Sequence, residues 1–294
     1  MKKLLLTGSS GLLGGNINFE IGGKYEIFGL YKNKANPEIR NQFEVDLTDH
    51  EKIREIVHAV KPDIVVHCAA LTDVELCEKN YSLAHATNAL ATKNLLTTVG
   101  PEARFIYIST DSVFDGRKGD YKETDSPSPV NNYAKTKLEG EIFVEKGSPD
   151  YVIIRTNIFG WSRVKGESFA EWIFNNLSQR KVINMFEDVI FSPVTGNTLS
   201  LFLEKMLNSN FKGIINTGSR SAISKYDFGV LLARQMGLDT SLIRPISVDS
   251  FPFKAKRPKN TSINLEKFER NFGTAPELKD EITKFCLAKK RVAV

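Results

Sequence analysis

Short, nearly continuous apolar runs recur along the first half of the chain, as expected for strands that are buried on both faces of a sheet. The runs are Lys3 to Leu6, Tyr25 to Leu30, Phe43 to Val45, Ile64 to His67, Phe105 to Ile108 and Val152 to Ile154. Amphipathic segments separate them. Strands that alternate with helices form parallel βαβ units. The pattern therefore predicts an α/β fold with a doubly wound parallel sheet of the Rossmann type.

One connecting segment shows how the helices are recognised. Ile53, Ile56, Val57 and Val60 recur at helical spacing, and a proline follows them at position 62. Upstream, the pair Thr48 and Glu51 matches a capping box, in which the two side chains bond each other's backbone N–H groups. The pattern predicts a helix that begins at this pair.

The pattern changes after about residue 155. Helical periodicity dominates, and irregular stretches join the segments Glu167 to Gln179, Thr198 to Leu207, Lys225 to Met236 and Leu265 to Phe272. Ile214 to Asn216 is a candidate for a strand that returns to the main sheet. The second half is predicted to be a smaller, mostly helical region beside the sheet.

Composition narrows the class of protein. With 41% hydrophobic and 26% charged residues among 294, the chain is that of an ordinary globular protein. The net charge of +5 is mild and no basic stripe with interleaved aromatics occurs, so nucleic-acid binding is not expected. No apolar stretch reaches the roughly 18 residues of a membrane span, and the N-terminal apolar run breaks at Thr7-Gly8, unlike a signal peptide.

The cysteines and histidines indicate the cellular compartment and the kind of site to expect. Cys68, Cys77 and Cys286 are odd in number and widely spaced, which favours reduced thiols over a disulfide framework. The four histidines share no metal-ligand spacing with cysteines or acids. We expect a cytoplasmic protein without a metal site.

Glycines follow the first predicted strand in "LLLTGSSGLLGG". Gly8 would permit a tight turn, Gly11 a close approach of backbone to phosphate, and Gly14 close packing of helix against strand. Free N–H groups and the positive end of the helix dipole suit a pyrophosphate at this position. A dinucleotide site is therefore expected, with residues 1–155 as the dinucleotide-binding domain and residues 156–294 as mainly the substrate-binding region.

The end of the second predicted strand bears on the choice of dinucleotide. NAD-selective sites usually place an acid there to bind the ribose hydroxyls. Here the chain reads "GLYKNKAN", without an acid, and Lys32 could bind a 2′-phosphate. NADPH is expected, with NADH as the alternative. Asp46, at the end of the third strand, is placed to meet the adenine.

A second group of residues carries acid–base chemistry. Tyr133 and Lys137 are four apart and share one face of a helix. A nearby ammonium lowers the pKa of a tyrosine, whose usual value is near 10. Ser109 and Thr110 close the fifth strand, at the sheet edge where ligands bind. Tyr133 would protonate a carbonyl oxygen that accepts hydride from a nicotinamide, and Thr110 would hold that oxygen.

The motifs "TGSSGLLG", "DLTD", "VVHCAALTDVELCE", "YISTDSVFDG" and "YAKTKLEGE" occur in the order of the extended short-chain dehydrogenase/reductase family, which the chain resembles. It is most similar to the dTDP-4-dehydrorhamnose reductases and their relatives, as "EDVIFSPVTGNTLS", "GIINTGSRSAISKYDF" and "KRPKNTSINLEKFERNF" indicate. The resemblance implies reduction of a nucleotide-linked 4-keto-6-deoxy sugar by a monomer or homodimer.

The resemblance also implies roles for individual residues. The catalytic residues would be Thr110, Tyr133 and Lys137. Cofactor contacts would fall on Gly8, Ser10, Gly11, Leu12, Asp46, Leu47, Ala69, Ala70, Leu71, Asn88, Tyr133 and Lys137, in addition to Gly14 and Lys32, which the loop and the second strand indicate by themselves. Substrate contacts would fall on Thr110, Asp111, Ser112, Asn157 and Arg257, with the arginine at the pyrophosphate of the substrate.

The chain departs from the reductases at two places near the expected sugar site, so the identity of the sugar is not determined. Ser112 stands where they commonly have a tyrosine, and Asn157-Ile158 where they commonly have Ser-Trp. Two other functions also stay open. One is a nucleotide-sugar epimerase or 4,6-dehydratase of the same family, although dehydratases commonly carry Thr-Asp-Glu where this chain has Thr-Asp-Ser. The other is a non-catalytic, NADP-binding regulatory subunit of a metabolic enzyme.

Overall fold

The computed structural model describes residues 1–164 and 166–292. The strands are β1 Lys3–Thr7, β2 Glu26–Tyr31, β3 Asn41–Glu44, β4 Ile64–His67, β5 Arg104–Ile108, β6 Tyr151–Thr156, β7 Ile158–Phe159, β8 Ile183–Phe186, β9 Ile190–Phe191, β10 Val194–Thr195, β11 Gly213–Thr217, β12 Ile223–Ser224 and β13 Ile243–Ile246. The helices are α1 Leu12–Ile21, α2 His50–Val60, α3 Val74–Lys79, α4 Tyr81–His85, α5 Ala91–Val99, α6 Asn132–Gly147, α7 Phe169–Ser178, α8 Gly196–Leu207, α9 Lys225–Gln235, α10 Glu266–Phe272 and α11 Leu278–Val292. One π-helical turn, Ala86–Leu90, joins α4 to α5.

Seven parallel strands form the central sheet in the order β11-β6-β5-β4-β1-β2-β3. The order reverses beside β1, because the chain first builds outward through β2 and β3 and then returns to β4. Ligands of open α/β sheets bind outside the carboxyl ends of the strands at such a switch point. The predicted doubly wound sheet is confirmed, and the site is expected above β1 and β4.

Successive side chains of each strand enter different cores. Leu4 and Leu6 of β1 pack on one face with α1 and α8, whereas Leu5 packs on the other face with α2, α5 and α6. All three leucines are fully buried. Burial on both faces explains why the predicted strands show continuous apolar runs.

The later half of the chain divides between the sheet and a core of its own. β11 adds the edge strand next to β6, as predicted for Ile214 to Asn216, and α8 packs against α1. Helices α7, α9 and α11 enclose a separate core with β8 and β13, in which Phe159 and Phe228 meet edge to face with ring centroids 5.1 Å apart. The mostly helical region therefore rests on the sheet through shared elements.

One local prediction is wrong. The capping box at Thr48 and Glu51 does not form, because Asp49 caps α2 by accepting a hydrogen bond from the Lys52 N–H. Thr48 instead donates its hydroxyl and its N–H to the Asp46 carboxylate. The helix consequently begins at His50.

Candidate active site

The glycine loop between β1 and α1 has the backbone shape that the sequence predicts. Gly8 has a φ of 67°, and a Cβ there would lie 2.9 Å from the Ala69 nitrogen. A Cβ on Gly14 would collide with the Gly8 carbonyl oxygen. Only glycine fits both constraints, so the loop stays close to β4 and the start of α1 lies directly over it.

A cleft of about 980 Å³ runs along the carboxyl edge of the sheet. It brings together most of the predicted site residues, namely Gly8, Ser10, Gly11, Leu12, Gly14, Lys32, Asp46, Leu47, Ala69, Ala70, Leu71, Thr110, Tyr133, Lys137 and Asn157. Asn88, Asp111, Ser112 and Arg257 do not line it. The predicted dinucleotide and acid–base residues thus share one cavity, and four others lie behind or beside it.

Asn88 lies one layer below the cleft. Its side chain is 1% exposed, accepts a 2.7 Å hydrogen bond from the Leu71 N–H and donates to the Leu71 carbonyl. It also donates to the Thr136 hydroxyl on α6. Asn88 therefore holds the wall segment that ends at Leu71, and direct contact with a cofactor stays a prediction.

A buried histidine that the sequence analysis did not assign to the site supports the same wall. Thr92 donates its hydroxyl hydrogen to the Asn88 carbonyl, so it accepts from His67 Nε2, 2.9 Å away. His67 Nδ1 then accepts from Thr7 at 2.6 Å, and Thr7 accepts from the Ala69 N–H. Burial lowers the pKa of His67 to about 3, and Lys137 adds to that shift. A neutral histidine thus ties β1, β4 and α5 together.

Tyr133 and Lys137 lie one turn apart on α6, and both face the cleft. Lys137 is 3% exposed, donates to the Ile108 carbonyl at 2.8 Å and lies 4.1 Å from the ring centroid of Tyr107. Burial lowers the pKa of Lys137 to about 7, although Glu141 raises it. The Lys137 side chain therefore changes its charge near neutral pH.

Burial also raises the pKa of Tyr133, and hydrogen bonding with Thr110 only partly opposes the rise. The expectation that Lys137 lowers the pKa of this tyrosine is wrong for this arrangement, because burial dominates and the ammonium is directed to the Ile108 carbonyl. Tyr133 therefore holds its proton at neutral pH, which is the state that a proton donor needs.

A buried ion pair lies beneath these residues. Arg155 and Glu141 have side chains 2% and 3% exposed, and the arginine Nη2 lies 2.7 Å from the carboxylate, with Nε donating to both oxygens. Ser109, which lines the cleft, donates to the same carboxylate at 2.5 Å. The pair therefore fixes the end of β5, directly before Thr110.

The lysines after β2 already have partners. Lys32 pairs with Asp46 at 2.6 Å, and Lys34 donates to the Val164 carbonyl. Burial alone would raise the pKa of Asp46, but hydrogen bonds from Lys32 and Thr48 together lower it to about 2. The predicted 2′-phosphate and adenine residues are thus joined to each other at the edge of the cleft.

Asp111 lies behind the cleft, 1% exposed, and its carboxylate accepts hydrogen bonds from the side chains of four residues, Thr110, Ser112, Asn157 and Thr261. Burial raises its pKa, and the bonds from Thr261, Asn157 and Thr110 oppose that shift. Ser112 and Asn157, two of the three residues that depart from the reductases, thus both bind Asp111. The predicted contact of Asp111 and Ser112 with sugar stays a prediction.

Arg257 lies beside the cleft on an irregular segment that packs against α3. Its Nη2 is 3.2 Å from Glu75, and its guanidinium lies 4.5 Å from the ring centroid of Phe253. The backbone N–H groups of Lys254 and Ala255 donate to the same glutamate. Glu75 therefore orients the segment that carries Arg257.

Two negative findings apply to residues 1–164 and 166–292. No three His, Cys, Asp or Glu side chains come close enough together there to hold a metal ion. Nor is any helix in that part of the chain both long and apolar enough to cross a membrane.

Residues 1–291 match the family model described as RmlD substrate binding domain. A "probable low-salt glycan biosynthesis reductase Agl14" of Haloferax volcanii is 29% identical over 94% of this chain and 95% of its own. Methionine adenosyltransferase 2 subunit beta of Rattus norvegicus is 30% identical over 91% of this chain and 82% of its own. The crystal structure of dTDP-4-dehydrorhamnose reductase from Bacillus anthracis in complex with NADP superposes with a TM-score of 0.87, at 26% identity, over 97% of this chain and 99% of the other.

Proposed function

Because this chain belongs to the RmlD substrate binding domain family, we propose that it is an NADPH-dependent reductase of a nucleotide-linked 4-keto-6-deoxy sugar. The observation that carries the proposal is the convergence of the glycine loop with Thr110, Tyr133 and Lys137 in one cleft. The likeness to reductases of known or assigned activity supports it. The enzyme is proposed to act in the cytoplasm.

The glycine loop fits a dinucleotide, because its close backbone approach leaves no room for a side chain at Gly8 or Gly14. When bound, the reduced nicotinamide supplies the hydride. Lys137 would bind the nicotinamide ribose, and Lys32 the 2′-phosphate after leaving Asp46. Thr110 would hydrogen-bond the carbonyl oxygen of the sugar, and Tyr133 would transfer its phenolic proton to that oxygen. Both transfers together convert the ketone to an alcohol.

The assay follows the absorbance of NADPH in the presence of a dTDP-linked 4-keto-6-deoxy sugar. Oxidation that requires the sugar supports the reductase. If nothing is oxidised, a panel of other nucleotide-linked keto sugars comes next, because Ser112 and Asn157 depart from the reductases. An epimerase or dehydratase would instead convert a nucleotide sugar with no net oxidation of NADPH.

A second candidate is a non-catalytic binding subunit, which the 30% identity to a subunit of methionine adenosyltransferase favours. Binding alone does not require Thr110, Tyr133 and Lys137 to meet in one cleft, so we place this candidate second. The Tyr133→Phe variant described in the Discussion separates the two, because a binding subunit would be indifferent to it.

The pKa of Lys137 predicts the pH dependence of the reaction. Its ammonium is lost as the pH rises through about 7, and the proposed binding of the nicotinamide ribose relies on the charged form. We therefore expect kcat/KM for NADPH, which reports the free enzyme, to fall about tenfold per pH unit above that point. Lys137→Arg keeps its charge to pH 9 and should be slower but without this fall. The same alkaline fall in both proteins would contradict the assignment.

Cofactor preference tests Lys32. Lys32→Ala should lower kcat/KM for NADPH about tenfold, because a charge-assisted bond to the 2′-phosphate is lost, and should change the value for NADH less than threefold. Lys52→Ala, which removes an exposed lysine from α2, is the matched control. Equal losses with both cofactors would show that Lys32 does not bind the 2′-phosphate.

A further inference from the structure

Lys225, the first residue of α9, brings an ammonium to the side of the cleft without an anion bonded to it. Its Nζ lies 5.0 Å from the ring centroid of Phe169, which lines the cleft, and 6.0 Å from that of Phe191. Among the residues that the structure describes, none forms a hydrogen bond or ion pair with this ammonium. Aromatic faces replace only part of the water that a half-buried ammonium loses.

The charges around Lys225 leave room for an anion. Burial lowers the pKa of Lys225, Asp111 raises it, and the second cation, Arg257, lowers it further. The Asp111 carboxylate is occupied by its own hydrogen bonds to neighbouring side chains. Holding two cations near each other costs free energy, and a bound anion offsets that cost. Arg257 already has Glu75, Asp73 and Glu78 near it, and these carboxylates raise its pKa. Lys225 is therefore the member of the pair that has no bonded anion among the described residues, and an anionic ligand would compensate its charge.

We propose that Lys225 binds the diphosphate of the nucleotide-linked substrate together with Arg257, and so determines substrate specificity at the site whose function is proposed above. Thr110, which would hold the reacting carbonyl, donates to Asp111, and both Asp111 and Arg257 are close enough to Lys225 to shift its pKa. Lys225 and Arg257 therefore place two cations near the proposed sugar site, and in a nucleotide sugar the diphosphate is attached directly to the sugar. An ammonium on a flexible stem suits the rotating oxygens of a phosphate.

Two other roles for Lys225 make different predictions. If it only neutralised Asp111, its loss would lower the thermal stability and, through Thr110, kcat, but not nucleotide affinity. If it bound a carboxylate on the sugar, its loss would weaken only nucleotide-linked uronic acids.

The test measures binding of dTDP, UDP, GDP, CDP and ADP by titration calorimetry to the whole protein. Lys225→Met keeps the aliphatic stem on Phe169 and removes the charge. For the diphosphate that the wild type binds most tightly, we expect Kd to rise at least about tenfold, because one charge-assisted bond is lost. The increase should be smaller with the monophosphate and absent with the nucleoside. Lys225→Arg should stay within about threefold of the wild type.

Lys256→Met is the matched control, because Lys256 is exposed, lies next to Arg257 and makes no side-chain ion pair with a described residue. Its Kd should stay within about twofold of the wild type, as for a surface charge. An equal rise in the Kd of the diphosphate for Lys225→Met and Lys256→Met would show that only the net charge of the protein matters, and it would overturn the proposal.

The proposal is also overturned if Lys225→Met binds the diphosphate as tightly as the wild type, if only uronic acid derivatives are weakened, or if the wild type binds none of the five. Its failure is separable from that of the reductase. A wild type that oxidises NADPH with the keto sugar while Lys225→Met keeps its diphosphate affinity refutes only the role of Lys225. A tenfold loss of affinity in a protein that reduces no keto sugar refutes only the reductase.

Discussion

Replacing Tyr133 by phenylalanine should lower kcat by 10²- to 10⁴-fold, the range associated with loss of a general acid. The phenol is the proton donor that we predict in the cleft, and its raised pKa keeps it protonated at neutral pH. Phenylalanine preserves the aromatic ring at this position of α6, so the cofactor site should be intact. The measurement is NADPH oxidation in the presence of the keto sugar, alongside the Kd of NADPH from fluorescence.

Tyr151→Phe provides the control for this experiment. Tyr151→Phe likewise removes one phenolic hydroxyl, which here donates to Glu145, but Tyr151 lies at the start of β6, outside the cleft. Its kcat should match that of the wild type within about twofold. Full activity in Tyr133→Phe would rule out Tyr133 as the proton donor. The second candidate function, a non-catalytic binding subunit, would then be favoured.

Replacing Arg155 by methionine should lower the free energy of unfolding by about 3–5 kcal/mol, because the Glu141 carboxylate would be left buried without its cation. The Ser109 hydroxyl would remain its one hydrogen-bond donor in the network. Urea unfolding followed by circular dichroism measures the change. Because Ser109 precedes Thr110, we also expect kcat to fall.

Two further variants test whether the lower free energy of unfolding of Arg155→Met comes from the unpaired Glu141 charge. Lys122→Met breaks the exposed ion pair with Glu266, in which both side chains are more than half exposed, and should cost less than about 1 kcal/mol. The double variant Arg155→Met with Glu141→Leu should regain much of the lost stability, since apolar replacements of buried pairs are often neutral. A double variant no more stable than Arg155→Met would locate the cost in packing rather than in the unpaired charge.

The sequence predicts the parts of this fold that repeat a local pattern. All seven strands of the main sheet were predicted to within a few residues, β11 included. Most of them leave apolar runs because they are buried on both faces, although the edge strand β3 has no fully buried residue. Pairs such as β9 with β12 contain two residues each, which is too few for a period. Packing within the C-terminal core holds these short strands together, and such tertiary contacts produce no pattern in the local sequence.

The same distinction applies to the site. Gly8, Tyr133 and Lys137 were identified from spacing, because a turn or one face of a helix is enough to bring such residues together. His67 and Glu141 were not assigned to the site, because the role of each depends on a partner. His67 bonds Thr92, which is 25 residues away in the sequence. Glu141 pairs with Arg155, and only the burial of this pair distinguishes it from a surface ion pair. Lys225 was treated as the start of a helix. An aromatic residue near it in space, not in sequence, is what sets it apart.

The packing of α8 against α1 links ligand binding to the integrity of the whole chain. The loop expected to bind the dinucleotide leads into the N-terminus of α1, and the buried residues Leu13 and Ile17 of this helix share a core with Leu199 and Leu203 of α8. A fragment that ended at residue 155 would lose that cover and also the edge strand β11. By linkage, a ligand that binds only the folded protein stabilises everything that unfolds with its site. Occupancy of the glycine loop would thus slow proteolysis of the distant C-terminal half.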